Sequence, residues 1–211
     1  MMRKITWIFV AFLALFSSEI NAQNDSKAVT IIEQILNFSK NDAVKTNFTL
    51  VTKTVASKEQ RLSGDITMKG DKFLLNIGGM NVLFDGKTQW AYSEDINEVT
   101  ITEPTKKEIA ETNPMAILAA YKANSAIKMI KSSSTTHTIQ ITPKAVDSDI
   151  KKVLVNVNKK NNYPLSIQIT NKKGDITTLT FSQFKSDLKI SENVFAFNKN
   201  KYKNLETNDL R

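Results

Sequence analysis

Asp85-Gly86 is the feature that most constrains this chain, because it joins two alternating apolar runs, Val82-Leu83-Phe84 and Gln89-Trp90-Ala91-Tyr92, by a pair of residues suited to positive φ angles. That arrangement predicts a β-hairpin. A strict two-residue loop sets Asn81 and Leu83 on the face of Thr88 and Trp90. One extra loop residue sets Val82 and Phe84 with Thr88, Trp90 and Tyr92 instead, which gathers more apolar surface on one side and is the register we expect. A third run follows the polar turn Ser93 to Glu98, with Val99 and Ile101 alternating against Thr100 and Thr102. The stretch therefore reads as an antiparallel meander with one apolar face.

The N-terminus bears on the compartment. Arg3 and Lys4 precede an apolar run from Ile5 to Phe16, and a short polar stretch ends at Ala22. This is the pattern of a secretory signal peptide over residues 1–22, with an apolar run well short of the roughly 20 residues needed to span a bilayer. The mature chain is expected to start at Gln23 and to be periplasmic. There is no cysteine, hence no disulfide and no residue to carry an N-terminal lipid. Without residues 1–22 the chain retains 27 basic against 20 acidic residues, a net charge of +7. Many lysines come as pairs (Lys106-Lys107, Lys151-Lys152, Lys159-Lys160, Lys172-Lys173) beside turn residues, as on solvated turns and guarded sheet edges. Nucleic acid is not expected as a partner, since the basic residues are dispersed without interleaved aromatics.

Residues 23–211 read as one domain. Asp25 or Ser26 caps a helix in which Ala28, Ile31, Ile32, Ile35 and Leu36 share a stripe. Six strands follow: 46–55, 60–69, 73–77, 80–84, 88–92 and 98–102. A helical insertion is expected from about Thr105 to Lys131, where Asn113 caps, Pro114 fits the first turn and Met115, Leu118, Ala119 and Lys122 share a face, with Ile109, Ile117 and Tyr121 adding apolar surface. Strands then resume at 137–142, 151–158, 164–170, 176–184 and 194–197. About eleven short antiparallel strands with two helical segments make a mainly β (α+β) domain of barrel type. A single curled sheet has a concave face to cover, and the two helical segments are the apolar elements free to cover it.

No catalytic constellation is apparent. The single histidine, His137, opens a strand beside Ile139 and Ile141, and neither a paired-histidine metal site nor a G-x-S-x-G elbow is present. No cofactor, metal or enzymatic activity is expected. A binding protein, acting as a monomer, is the better class.

The order of elements carries a resemblance. Leu83-Phe84-Asp85-Gly86-Lys87-Thr88-Gln89-Trp90-Ala91-Tyr92, followed by Asn97-Glu98-Val99-Thr100, resembles the D-G-K-T-x-W-x-Y segment of the periplasmic lipoprotein carrier family LolA. Gly64 to Phe73 is similar to the family's strand and turn ending in R-P-x-x-F, Asn113-Pro114-Met115 to the start of its lid helix, and Thr142-Pro143-Lys144-Ala145 to its T-P-K stretch. The resemblance implies a LolA/LolB-like unclosed antiparallel barrel with an α-helical lid, whose apolar cavity takes up the acyl chains of lipoproteins. It implies as partners acylated lipoproteins, an inner-membrane ATP-driven exporter and an outer-membrane acceptor. The candidate cavity residues are Phe48, Leu50, Ile66, Met68, Phe73, Leu75, Phe84, Trp90 and Tyr92, with Met115, Leu118 and Tyr121 on the lid. The family's R-P pair falls on Lys69-Gly70, so Lys69 is the expected lid latch, a weaker one than the planar arginine fork. An envelope-stress sensor, or a carrier of another lipid or amphiphile, is the alternative use of the same fold.

Overall fold

A computed structural model describes residues 25–55, 57–105, 108–109 and 113–211. The expected signal peptide and the Lys106-Lys107 pair lie outside them. The chain opens with α1 (Ser26–Asn37), where the Asp25 carboxylate accepts from the Ala28 N–H at 3.2 Å and Ala28, Ile31, Ile32 and Ile35 form the buried stripe that helical spacing predicts. Six strands follow: β1 (Ala43–Lys53), β2 (Gln60–Lys69), β3 (Lys72–Ile77), β4 (Met80–Phe84), β5 (Gln89–Ser93) and β6 (Glu98–Thr102). After α2 (Pro114–Lys122) come β7 (Ser125–Ser132), β8 (Thr136–Pro143), β9 (Ile150–Asn158), β10 (Pro164–Asn171) and β11 (Ile176–Leu188). Two short 3-10 turns, Glu192–Phe195 and Lys199–Lys201, lead to β12 (Glu206–Asp209).

All twelve strands form one sheet in the order β12-β6-β5-β4-β3-β2-β1-β11-β10-β9-β8-β7. Consecutive strands in that order pair antiparallel, apart from β12, which lies parallel to β6. The two end strands, β12 and β7, do not pair with each other, so the sheet is open. Its long central strands bend where the β1–β11 register shifts twice, once on each side of Lys45, and Gln183 and Asp187 in those shifts take positive φ. Extra residues of this kind increase local twist and curl a sheet. Helices α1 and α2 cover the resulting concave face, and one continuous core fills it from Phe73 and Phe84 on one wing to Ile139, Val155 and Ile167 on the other.

The fold departs from the sequence expectations at four places. The expected helical insertion is too long: residues from Ser125 onward form β7, because Ile127 and Met129 alternate inward, against Ile141 and Ile139 of β8. Residues 194–197 are not a strand, Val194 and Phe195 closing a 3-10 turn and Ala196 and Phe197 following it irregularly, and β12 in the polar tail supplies a strand that composition concealed. The hairpin takes the other register. Leu83 pairs with Trp90 and Asn81 with Tyr92, because the Asp85 carboxylate accepts from the N–H groups of Lys87 and Thr88 (2.9 and 2.8 Å) and closes a tight loop on Gly86-Lys87. That loop, with Gly86 at φ 103°, fixes the pairing regardless of which face gathers more apolar surface.

Candidate functional site

The concave face is built by phase. Along β1, Val44, Phe48 and Leu50 point inward and meet Met68 and Gly64 on β2 and Phe181 and Leu179 on β11, and the phase continues through Phe73, Leu75, Val82 and Phe84. Gly64 is a required gap, since a Cβ there would collide with the Asn76 carbonyl oxygen and press on the Phe48 ring. The Phe73 and Phe84 rings lie 5.6 Å apart. Over this face α1 sets Ile31, Ile32 and Ile35, and α2 sets Met115 and Leu118, with Tyr121 partly buried at the margin. Burial raises the Tyr121 phenol pKa, helped by the Asp149 charge, so the ring stays neutral.

The cover is held by polar ties at its ends. Asn113 caps α2 by accepting from the Met115 N–H at 2.9 Å, and Lys122 at the other end donates to Glu33 of α1 at 2.8 Å. The approach to α2 opens with a capping box, in which the Thr105 N–H donates to Glu108 Oε2 at 2.7 Å while the Glu108 N–H donates back to the Thr105 hydroxyl at 3.3 Å. Beside this segment the interior opens to solvent through a cleft of about 730 Å³, lined on the apolar side by Leu36, Met68, Phe84, Ile109, Met115 and Ala119 and on the rim by Asp71, Lys87, Glu103 and Asn113. An apolar throat with a polar rim suits the entry of a chain whose head stays wet.

Seven of the nine candidate cavity residues, Phe48, Leu50, Ile66, Met68, Phe73, Leu75 and Phe84, thus share the concave face, and the lid residues Met115, Leu118 and Tyr121 pack over it. Trp90 and Tyr92 do not. Because Leu83 pairs with Trp90, both aromatics stand on the opposite, convex face, where Tyr92 packs at 5.9 Å from Phe197 and 4.3 Å from Tyr202. The segment from Ser191 to Asn204 runs across that face as a strap. It flanks, with Leu74 and Leu83, a cleft of about 820 Å³, carries the fully buried Phe195, and is tied to the β5–β6 turn by Asn97, whose amide donates to the carbonyls of Lys203 and Asn204. Lys69 serves this strap. Its ammonium donates to Glu192 at 2.6 Å, beside a second bond from Lys72 at 2.7 Å, rather than to a carbonyl of the described part of the lid. The two bonds, that from Lys69 first, hold the Glu192 carboxyl well below the usual range, at about 2.

The strap was missed from sequence, although a signal for it exists. Phe73-Leu74-Leu75 and Val82-Leu83-Phe84 are unbroken apolar runs, and a strand apolar on both phases is covered on both faces. No group of three or more potential metal ligands occurs among the described residues.

A single open antiparallel sheet curled round an apolar interior, with helices across its concave side, defines a LolA-like class of fold. The chain belongs to the LolA family: the model described as outer membrane lipoprotein carrier protein LolA matches residues 19–174. An outer-membrane lipoprotein carrier protein of Methylobacillus flagellatus is 26% identical over 168 residues, covering 76% of this chain and 80% of the relative. Among solved structures, an uncharacterised conserved protein from Thermus thermophilus is similar over 87% of this chain and 99% of its own, with a TM-score of 0.58 at 10% identity. A LolA superfamily protein from Nitrosomonas europaea is similar over 81% of this chain and 97% of its own, with a TM-score of 0.41 at 14% identity.

Proposed function

We propose that the protein is a periplasmic carrier that takes the acyl chains of lipoproteins between its concave face and its helical cover and passes them from the inner to the outer membrane. The observation that supports this reading best is the apolar throat bounded by Leu36, Met68, Phe84, Ile109 and Met115, which leads from solvent to a core shared by sheet and helices. Family membership supplies the cargo class. Each acyl methylene withdrawn from water contributes about 0.8 kcal/mol, so two long chains hold on the order of 20 kcal/mol or more between membrane and water. A cargo of that kind does not desorb usefully by itself. The carrier offers a comparable apolar surface, an energised inner-membrane exporter supplies the uphill step, and an outer-membrane acceptor receives the chains.

The test is displacement of an apolar fluorescent dye from the purified protein. Acylated lipoprotein should displace the dye and its deacylated form should not. Leu118 is too deeply buried for a charge to probe binding alone, whereas Met115 sits on the throat; Met115→Glu, checked for native circular dichroism, should weaken dye binding about tenfold or more by placing a charge in an apolar passage. Equal displacement by both forms of lipoprotein would refute the acyl-chain reading.

A further inference from the structure

The chain's single histidine sits beside a second pocket on the far side of α1. His137 is the first inward residue of β8, paired with Val157 of β9 and Ser132 of β7, and is only 3 % exposed. Its Nδ1 is shielded from solvent and has no hydrogen-bond partner. A nitrogen sealed from solvent is out of reach of an anion, so the ring nitrogen that can meet a ligand is Nε2, and the ring lines a pocket of about 380 Å³ together with Lys27, Thr30, Ile31 and Gln34 of α1 and Lys159 and Asn162 of the β9–β10 turn. Asn162 donates to Gln34 at 2.8 Å and closes one wall. Lys159 donates to the Ser133 carbonyl at 3.1 Å, which leaves two of its three N–H groups for other acceptors. None of these lining residues is acidic, and Asp25, at the start of the same helix, is turned to its cap.

We propose that this pocket is an anion site for a phosphate-class group, held by the ammonium groups of Lys27 and Lys159 and by the His137 imidazole. Three donors arrive from three separate elements, and a group with several oxygens around one centre answers all three at once. The site does not depend on the acyl-chain reading. Burial, and then the positive fields of Lys27 and Lys159, lower the His137 pKa, which favours the neutral ring. A bound anion favours the imidazolium, and affinity therefore rises as pH falls through the pKa of the bound state.

Since this is the only histidine in the chain, its imidazole resonances in the tag-free protein report on the pocket without ambiguity. Titration with inorganic phosphate, with glycerophosphoglycerol and with short-chain phosphatidylglycerol below its micellar concentration should shift those resonances saturably and raise the His137 pKa in at least one arm. A response to all three alike assigns free phosphate as the source; preference for the acylated lipid assigns a membrane headgroup. Lys27→Gln and Lys159→Gln, both at exposed positions that leave the fold intact, should each weaken the effective ligand on the order of fivefold. If sodium chloride at equal ionic strength reproduces the shifts, or if neither lysine replacement changes them, there is no anion site.

Discussion

Lys69 shows how much one residue's role depends on the face it meets. On sequence it stands where the family's arginine latches the lid, but its bond goes to Glu192 on the convex side, where Lys72 joins it. Glu192 has a folded-state pKa of about 2, below its ordinary 4.5. The interaction is therefore fully present above pH 4.5 and is lost as pH falls through about 2. We expect the segment around Glu192 to become more susceptible to an acid-active protease across that window, and Glu192→Gln to remove the pH dependence while loosening the segment at neutral pH. Salt should loosen it in the parent as well, since all three side chains are partly exposed. Unchanged cleavage in Glu192→Gln would leave the clamp without a role.

At the scale of elements, what was legible in the sequence followed from local chemistry. Asp25 and Asn113 cap the helices as their positions suggest, and the apolar stripe of α1 lies on the sheet. Asn113→Ala should cost about 1 kcal/mol of α2 stability, and amide exchange in the first turn of α2 should quicken about fivefold while β9 and β10 stay protected. What was not legible depended on partners distant in sequence. How much apolar surface one face of β4–β5 gathers decides the register only when the other face meets water. The strap, far along the chain, packs on Tyr92 through Phe197 and Tyr202, and Leu83 on the same face is buried as well, which removes that condition. The same reasoning hid β12, whose exposed Glu206–Asp209 backbone pairs with β6 without any apolar signature.

The whole molecule has apolar packing on both sides of one wing of the sheet: the core under the helices, and a smaller cluster in which Phe197 and Tyr202 of the strap meet Tyr92, beside a cleft lined by Leu74 and Leu83. The two are separated by the sheet, so removing one should leave the other standing. A chain truncated after Lys189 should keep dye binding at the concave face but self-associate through the uncovered convex patch, seen as a concentration-dependent rise in light scattering. Loss of dye binding together with the fold would show instead that the strap stabilises the sheet as a whole.

The open edges described for β12 and β7 have a mechanical consequence. In a closed barrel, strand number and shear set the bore, and enlarging it means breaking or slipping a ladder of hydrogen bonds. Here the twelve strands are joined by eleven ladders with free ends, and the angle between neighbouring strands tolerates a spread of about 25° in proteins generally. A few degrees at each ladder add up to a wide change in curvature while every ladder remains intact. The sheet can thus behave as a leaf spring, with an elastic compliance spread along its width, so that the radius of the hollow is set by its contents rather than by its own connectivity.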